Sequence, residues 1–167
     1  MNAGRIAVLG LVIPMIATGV GIWYTQVYAY YEELPTRPTY AVAGVDGPVT
    51  LSIAEFRGID SDSSPVRYRA CFTVSGDAPG LADYADPTPL IAPGWFDCFD
   101  AEGIGADLEA GAARAVLVAA NAPYGIDRVM ALYPDGRAFV WPQINACGTA
   151  YFDEDPLPAD CPPAPER

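Results

Sequence analysis

The chain has 167 residues, sets nine arginines against 21 aspartates and glutamates for a net charge of −12, and contains neither lysine nor histidine. Without an imidazole or a lysine amine there is no Ser-His-Asp or Cys-His nucleophile, no His-ligated metal or haem, no Schiff base and no P-loop lysine, so most enzyme chemistries are excluded. The acidic balance also argues against nucleic acid as a partner and against docking on anionic lipid heads, since both are bound by clustered cations.

The first element is a membrane anchor, expected over residues 1–31. No charged residue occurs from Ile6 to Tyr31. The apolar run Ile6 to Tyr24 would reach about 28 Å as a helix, close to the hydrocarbon thickness of a bilayer. Arg5 precedes the run while Glu32 and Glu33 follow it, which places the N-terminus in the cytoplasm and the remainder across the membrane. Trp23, Tyr24, Tyr28, Tyr30 and Tyr31 gather at the far end, where amphipathic rings prefer the headgroup layer. A cleaved signal peptide fits less well, because the run is longer than the usual h-region and aromatics crowd the would-be cleavage site. Gly10, Pro14, Ala17, Gly21 and Thr25 recur at helical spacing and form a small-residue face suited to close packing against another span.

Leu34-Pro35-Thr36-Arg37-Pro38 reads as a stiff spacer within residues 32–38, because each proline fixes its own φ and biases the residue before it toward extended geometry. An exported domain is expected over residues 39–152. Val49 to Ile53 alternates apolar and polar as a half-buried strand does, and Val66 to Val74 does so more strongly. In the latter, Arg67, Arg69, Cys71 and Thr73 share the face opposite the apolar one. Residues 77–97 read as a long loop pinned by Trp95 and Phe96. A short helix is expected from an Asp100 cap to Ala110, stopped by Gly111, followed by a buried strand over Ala113 to Ala120. Ile126 to Tyr133 and Arg137 to Trp141 form a hairpin through Pro134-Asp135-Gly136. Residues 153–167, with five prolines and five acids, cannot build a core and are expected to lie extended over the surface. The predicted fold class is α+β: one N-terminal transmembrane helix and a small, mainly antiparallel β domain with one short helix.

Cys71, Cys98, Cys147 and Cys161 all fall beyond the anchor, in a compartment where cysteines pair. Three connectivities exist. Cys71 with Cys98 and Cys147 with Cys161 is preferred, because it ties the long loop to a strand and staples the acidic tail to the domain. The chain has no C-x-x-C spacing, and its sparse methionines disfavour a copper site. Asp60 to Ser64 resembles the start of a calcium loop, but Pro65 and Cys71 stand where an EF-hand needs glycine and glutamate, so a side-chain-bonded turn is expected. Arg67 and Arg69, brought near Asp97 and Asp100 by a Cys71–Cys98 bridge, would form either a structural ion-pair cluster or a site for a carboxylate or phosphate. No catalytic residue, metal ligand or cofactor site emerges.

The runs Gly58 to Pro65 into Arg67-Tyr68-Arg69-Ala70-Cys71-Phe72, Ala92 to Asp100, Tyr124 to Val129 and Pro134 to Arg137 resemble an uncharacterised alphaproteobacterial family of single-span, periplasm-facing membrane proteins. Some of its members carry the label histidine kinase, which this chain does not support because it has no phosphoacceptor histidine. The resemblance implies a Gram-negative inner membrane and a periplasmic domain. Taken together, the residues lead us to expect a non-catalytic accessory or assembly subunit of an inner-membrane complex. Its lineage suggests a respiratory one, with other integral membrane subunits as partners. The alternative is a periplasmic ligand-binding or sensing module using Arg67 and Arg69.

Overall fold

The computed structural model describes residues 2–165; Met1 of the expected anchor and Glu166 and Arg167 of the expected tail lie outside the described residues. The chain divides into two units at Tyr31/Glu32. In the first, α1 spans Ala3–Tyr24 and runs into a wider π turn over Thr25–Ala29. Residues Ala3–Ala29 have a mean hydropathy of 2.2 and are long and apolar enough to cross a membrane. No residue of α1 is buried, so the face formed by Gly10, Pro14, Ala17, Gly21 and the following Thr25 is open to whatever surrounds the helix.

The second unit is an antiparallel sheet with two short helices. Its strands are β1 (Glu32–Glu33), β2 (Thr39–Gly44), β3 (Gly47–Asp60), β4 (Arg69–Val74), β5 (Arg114–Ala119), β6 (Ile126–Leu132) and β7 (Arg137–Ile144). The hydrogen-bonded order is β1-β3-β4-β7-β6-β5, with β2 on β3. The fold class is therefore α+β, as expected. The hairpin between β6 and β7 extends three residues beyond Trp141, because Ile126 pairs Ile144 as far out as Leu132 pairs Ala138.

β3 is far longer than the Val49 to Ile53 strand read from the alternation, and the reason is a bulge. Pairing with β4 shifts between Ala54 and Arg57, and Glu55 takes φ 56°. An extra residue in a strand reverses the sides to which its side chains point. Before the bulge Leu51 and Ile53 enter the core; after it Phe56 does, so a single two-residue period cannot be followed through the strand.

The sheet closes on itself. Gly80 to Tyr84 lies between β2 and β5: the Val45 amide donates to Gly80, Ala82 to Ala43, Tyr84 to Ala115 and Leu117 to Ala82. These bonds join the two ends of the sheet, and the inward residues of the resulting barrel, among them Val42, Phe72, Leu81, Val116, Met130 and Val140, form one apolar core. Closure removes the open edges that would otherwise expose backbone donors and acceptors.

The outer face of β4 and β7 is also buried. The loop after β4 returns across it and is pinned by Phe96 and Phe99 rather than by Trp95, which is only half-buried. Phe99 meets Phe139 and Trp141 edge-on at 6.2 and 6.4 Å, a favoured arrangement for ring quadrupoles. The helix α2, Ala101–Glu109, follows at its Asp100 cap and ends before Gly111, whose φ of 71° is the left-handed turn that stops many helices. Asp107 fastens it by accepting from the Tyr133 hydroxyl at 2.7 Å.

Two expectations are corrected. Residues 32–38, expected as a stiff spacer ahead of the domain, are part of its sheet: Glu32 and Glu33 pair Asp60 and Ile59, the Leu34 amide donates to Gly58 and the Ile53 amide to Pro38. The domain also holds a second short helix, α3 (Ala146–Phe152), whose cap Asn145 accepts from the Gly148 amide. It docks where Gly148 and Gly125 approach so closely that a Cβ on either would overlap the other's backbone.

The structure joins Cys71 to Cys98 and Cys147 to Cys161. Cys98→Ser is expected to lower stability by about 3.5 kcal/mol, the entropic value for a loop of 27 residues. Cys161→Ser should cost less, because it releases a tail otherwise tied by the Tyr124 hydroxyl donating to the Pro162 carbonyl. Chemical denaturation of the full chain measures both. Thiol alkylation of the unreduced, denatured protein should label no cysteine, and labelling of all four would overturn the pairing.

Candidate functional site

The sequence pointed to Arg67, Arg69, Asp97 and Asp100, and the structure does not assemble them into one site. Asp97 is bridged by Arg57 at 2.8 Å. The cause is cross-strand register: β3 places Arg57 directly opposite Cys71, so the cation beside the Cys71–Cys98 bridge comes from the neighbouring strand. Arg67 donates to the Ser63 hydroxyl at 3.0 Å. Asp100 precedes α2, with its carboxylate against Gly103. The Asp60 to Ser64 segment is a turn held by the Ser61 amide on Asp60 and by the Ser61–Ser63 hydroxyl pair.

Arg69 is 4% exposed and has a structural task. Its Nε donates to the Leu90 carbonyl at 2.8 Å, one terminal nitrogen to Val66 and Tyr68, and the other to Ile91 at 2.9 Å. A planar fork of five donors fits such a cage of carbonyls and a lysine ammonium does not. Asp127, the one buried carboxylate among the described residues, is similarly enclosed: it accepts from the Asn121 amide, the Asn145 side-chain amide and the Tyr84 hydroxyl. It ties the turn before β6 to the cap of α3.

The arrangement with unused binding capacity lies elsewhere, in the seam between β2 and β5. Gly80 to Tyr84 fills that seam only near Gly44 and Val116. Beyond it, β2 from Thr39 to Ala43 and the end of β5 at Val118 and Ala119 line an open cavity of about 560 Å³, with Arg37 and Arg128 in its wall. Among the described residues neither guanidinium meets a carboxylate. Arg128 shares the inward face of β6 with Met130 and lies 4.1 Å from the centroid of the Tyr68 ring, and its Nε is buried with no hydrogen-bond acceptor. Arg37 stands 4.6 Å over Phe56 and 5.8 Å over Tyr40. Cation–π contact holds each group in place without neutralising its charge.

Behind the two cations, the Tyr40 and Tyr68 hydroxyls share a buried hydrogen bond of 2.8 Å. Burial pushes both phenols up in pKa. At Tyr40 the hydrogen bond from Tyr68, the charges of Arg128 and Arg37 and a hydrogen bond from Arg128 pull back, while at Tyr68 the Tyr40 hydroxyl adds to the rise. Both phenols are therefore protonated at neutral pH, and the cavity wall offers cations and apolar surface, which is a means of holding an anion. A second depression of about 660 Å³ beside the Cys71–Cys98 bridge also has arginines in its wall, but there Arg57 and Arg137 are already answered by Asp97 and Asp135.

Sequence reasoning missed Arg37, Tyr40, Tyr68 and Arg128 as a set. Arg37 stood in a segment read as spacer and Tyr68 on an apolar strand face. The available signal was parity: Arg128 alternates in step with Met130 and Leu132, and an arginine at an inward strand position is costly unless it has a purpose.

Arg69→Lys is expected to cost about 2 to 4 kcal/mol in chemical denaturation, because carbonyls under the loop lose their donors. Tyr40→Phe and Tyr68→Phe should each cost about 1 to 2 kcal/mol by leaving a buried hydroxyl alone, and the double variant clearly less than their sum. The sign of the pH effect follows from the raised phenols. Above pH 10 the unfolded chain releases tyrosine protons that the folded chain retains, so stability falls as pH rises. Tyr84, pushed to about 12 by burial and the Asp127 carboxylate, contributes between pH 10 and about 12. A spectrophotometric tyrosine titration should accordingly show part of the phenol signal rising only with unfolding.

No curated protein and no solved structure matches this chain. Residues 39–162 match the model of a family of unknown function, DUF6446, a span that holds β2 to β7 and both disulfides but neither β1 nor Arg37, and the chain belongs to that family.

Proposed function

We propose that this protein is a single-pass, membrane-anchored module that binds a small anion, without catalysis, in the seam between β2 and β5. One observation carries the reading: in a chain of net charge −12, the two guanidiniums lining this cavity are without a carboxylate among the described residues. With abundant carboxylates elsewhere, an unanswered cation pair facing a cavity is an invitation to an anionic ligand. Arg5 on one side of the helix and Glu32 and Glu33 on the other support an N-terminus in the cytoplasm. Two disulfides support a domain in the oxidising periplasm of an inner membrane.

The test uses the nitrogen-labelled full chain in phosphatidylcholine nanodiscs, titrated with acetate, hexanoate and inorganic phosphate. At least one of these should shift the Arg37 and Arg128 side-chain resonances saturably, and Arg128→Gln, read at Arg37, should weaken that binding by about tenfold or more, the value of a charge-assisted hydrogen bond. If none moves these resonances, the reading fails. Arg37→Gln, at an exposed position, serves as the variant whose folding is not at risk.

A second reading, an accessory subunit of an inner-membrane complex, draws on the uncovered small-residue face of α1, which suits another span. Purification in mild detergent with mass spectrometry of co-purifying chains tests it. Recovery of the lone protein under conditions that preserve known complexes would count against it.

A further inference from the structure

The seam cavity is bounded on one side by a strand edge, and that edge narrows what can lie against it. Going beyond the small-anion reading above, on whose two arginines it rests, we propose that the seam takes an extended acidic polypeptide segment. The segment adds to β2 as a further strand and sets its carboxylates against Arg37 and Arg128.

Backbone direction comes first. In an antiparallel pair, alternate residues send both N–H and C=O toward the partner strand, and the residues between them send theirs away. β2 pairs with β3 from Thr39 to Gly44. The Pro38 carbonyl faces β3, where it accepts from the Ile53 amide, whereas the Ala43 carbonyl and the Val45 amide face the other way and bond Ala82 and Gly80. The same alternation turns the N–H and C=O groups of Thr39 and Ala41 away from β3 and toward the seam. Among the described residues these groups have no strand partner, because Gly80 to Tyr84 reaches β2 only near Gly44 and β5 does not pair with it. Thr39 and Ala41 are exposed, and about 560 Å³ of open space lies against them.

Such an edge offers donors and acceptors in alternation. An isolated anion meets the donors but leaves the carbonyls facing its own negative charge, whereas a second strand answers both. β2 itself carries none of the devices that keep open edges from pairing: its sequence Thr39 to Gly44 has no charge and no proline, and its register against β3 runs without a bulge.

Charge then selects the kind of strand. Arg37 lies two residues before Thr39, and Arg128 lines the opposite wall beside its β5 partner Ala119. No acidic residue lines the cavity, although the chain as a whole carries −12. A segment with glutamate or aspartate toward these guanidiniums gains opposite-charge pairs across the strands, and a basic segment meets repulsion instead. Strand pairing and charge are separate contributions, so each can be removed without the other.

The test is binding to the nitrogen-labelled full chain in phosphatidylcholine nanodiscs, read at the backbone amides of Thr39 and Ala41 and at the Arg37 and Arg128 side chains. The probes are a blocked hexapeptide of alternating valine and glutamate, the same peptide N-methylated at every residue, its valine–lysine counterpart, and inorganic phosphate. The glutamate peptide is expected to bind saturably, to shift both amides and slow their hydrogen exchange, and to bind about tenfold or more tighter than the lysine peptide. Ala41→Pro removes a donor at an exposed edge, where proline is tolerated because no bond to β3 is lost. Read at Thr39, it should weaken the glutamate peptide by about fivefold or more, the value of one backbone hydrogen bond, while phosphate binding persists. Arg37→Gln should weaken peptide and phosphate alike. If phosphate shifts the arginine side chains but the glutamate peptide leaves both amides unmoved, the small-anion reading stands and this inference falls. Equal binding of the N-methylated or the lysine peptide also overturns it, since strand pairing or acidic charge is then not what the seam selects. If neither phosphate nor peptide moves any of these resonances, both fail.

Discussion

Arg69 holds its guanidinium beneath the loop that covers the sheet and donates to the carbonyls of Val66, Tyr68, Leu90 and Ile91. Much else depends on this cage. The residues between Val74 and Ala101 carry little regular structure, yet they close the barrel at one end and bury Phe96 and Phe99 against the outer face at the other. Such a loop leaves many backbone carbonyls under cover, and a buried arginine is a dense source of N–H groups to satisfy them. The Cys71–Cys98 bridge acts on the same face two residues along β4, so covalent and hydrogen-bonded restraints reinforce each other.

Because that loop is fixed, Gly80 to Tyr84 can serve as a short strand between β2 and β5. It is too short to fill the seam. The barrel is therefore closed by hydrogen bonds along one part of the seam and left without them along the other, and the cavity sits in the second part. The site is a by-product of how the sheet closes, a common origin for binding sites at the mouths and seams of small barrels. Its cations come from two places far apart in sequence, the segment before β2 and the inward face of β6.

Charge is distributed with the same logic. Arg57, Arg114 and Arg137 each meet an aspartate at the surface, where ion pairs contribute little to stability but remove an available cation. Arg69 is consumed by carbonyls. Arg67 bonds Ser63, and Arg37 and Arg128 stand over aromatic rings, which hold a guanidinium without neutralising it. Among the described residues these two cations stand apart from the carboxylates of a strongly acidic chain.

Much of the architecture was legible in the sequence because it is written locally. Nineteen consecutive uncharged residues from Ile6 to Tyr24 announce a span, Pro134-Asp135-Gly136 between alternating runs announces a hairpin, and Asp100 with Gly111 brackets a helix. These signals depend on residues within a few positions of each other. The bulge at Glu55 hid most of β3, since an inserted residue reverses the period on which strand recognition depends. The cation at the Cys71–Cys98 bridge was assigned to Arg67 and Arg69 because they share its strand, whereas register across to β3 delivers Arg57. Arg37, Tyr40, Tyr68 and Arg128 could not be grouped at all, for they meet only when the sheet curls round and its ends are joined. Composition determined that this chain lacks the residues of most catalysis; which of its nine arginines are spent on structure and which are left facing a cavity was decided by the closing of the barrel, an event that no linear spacing records.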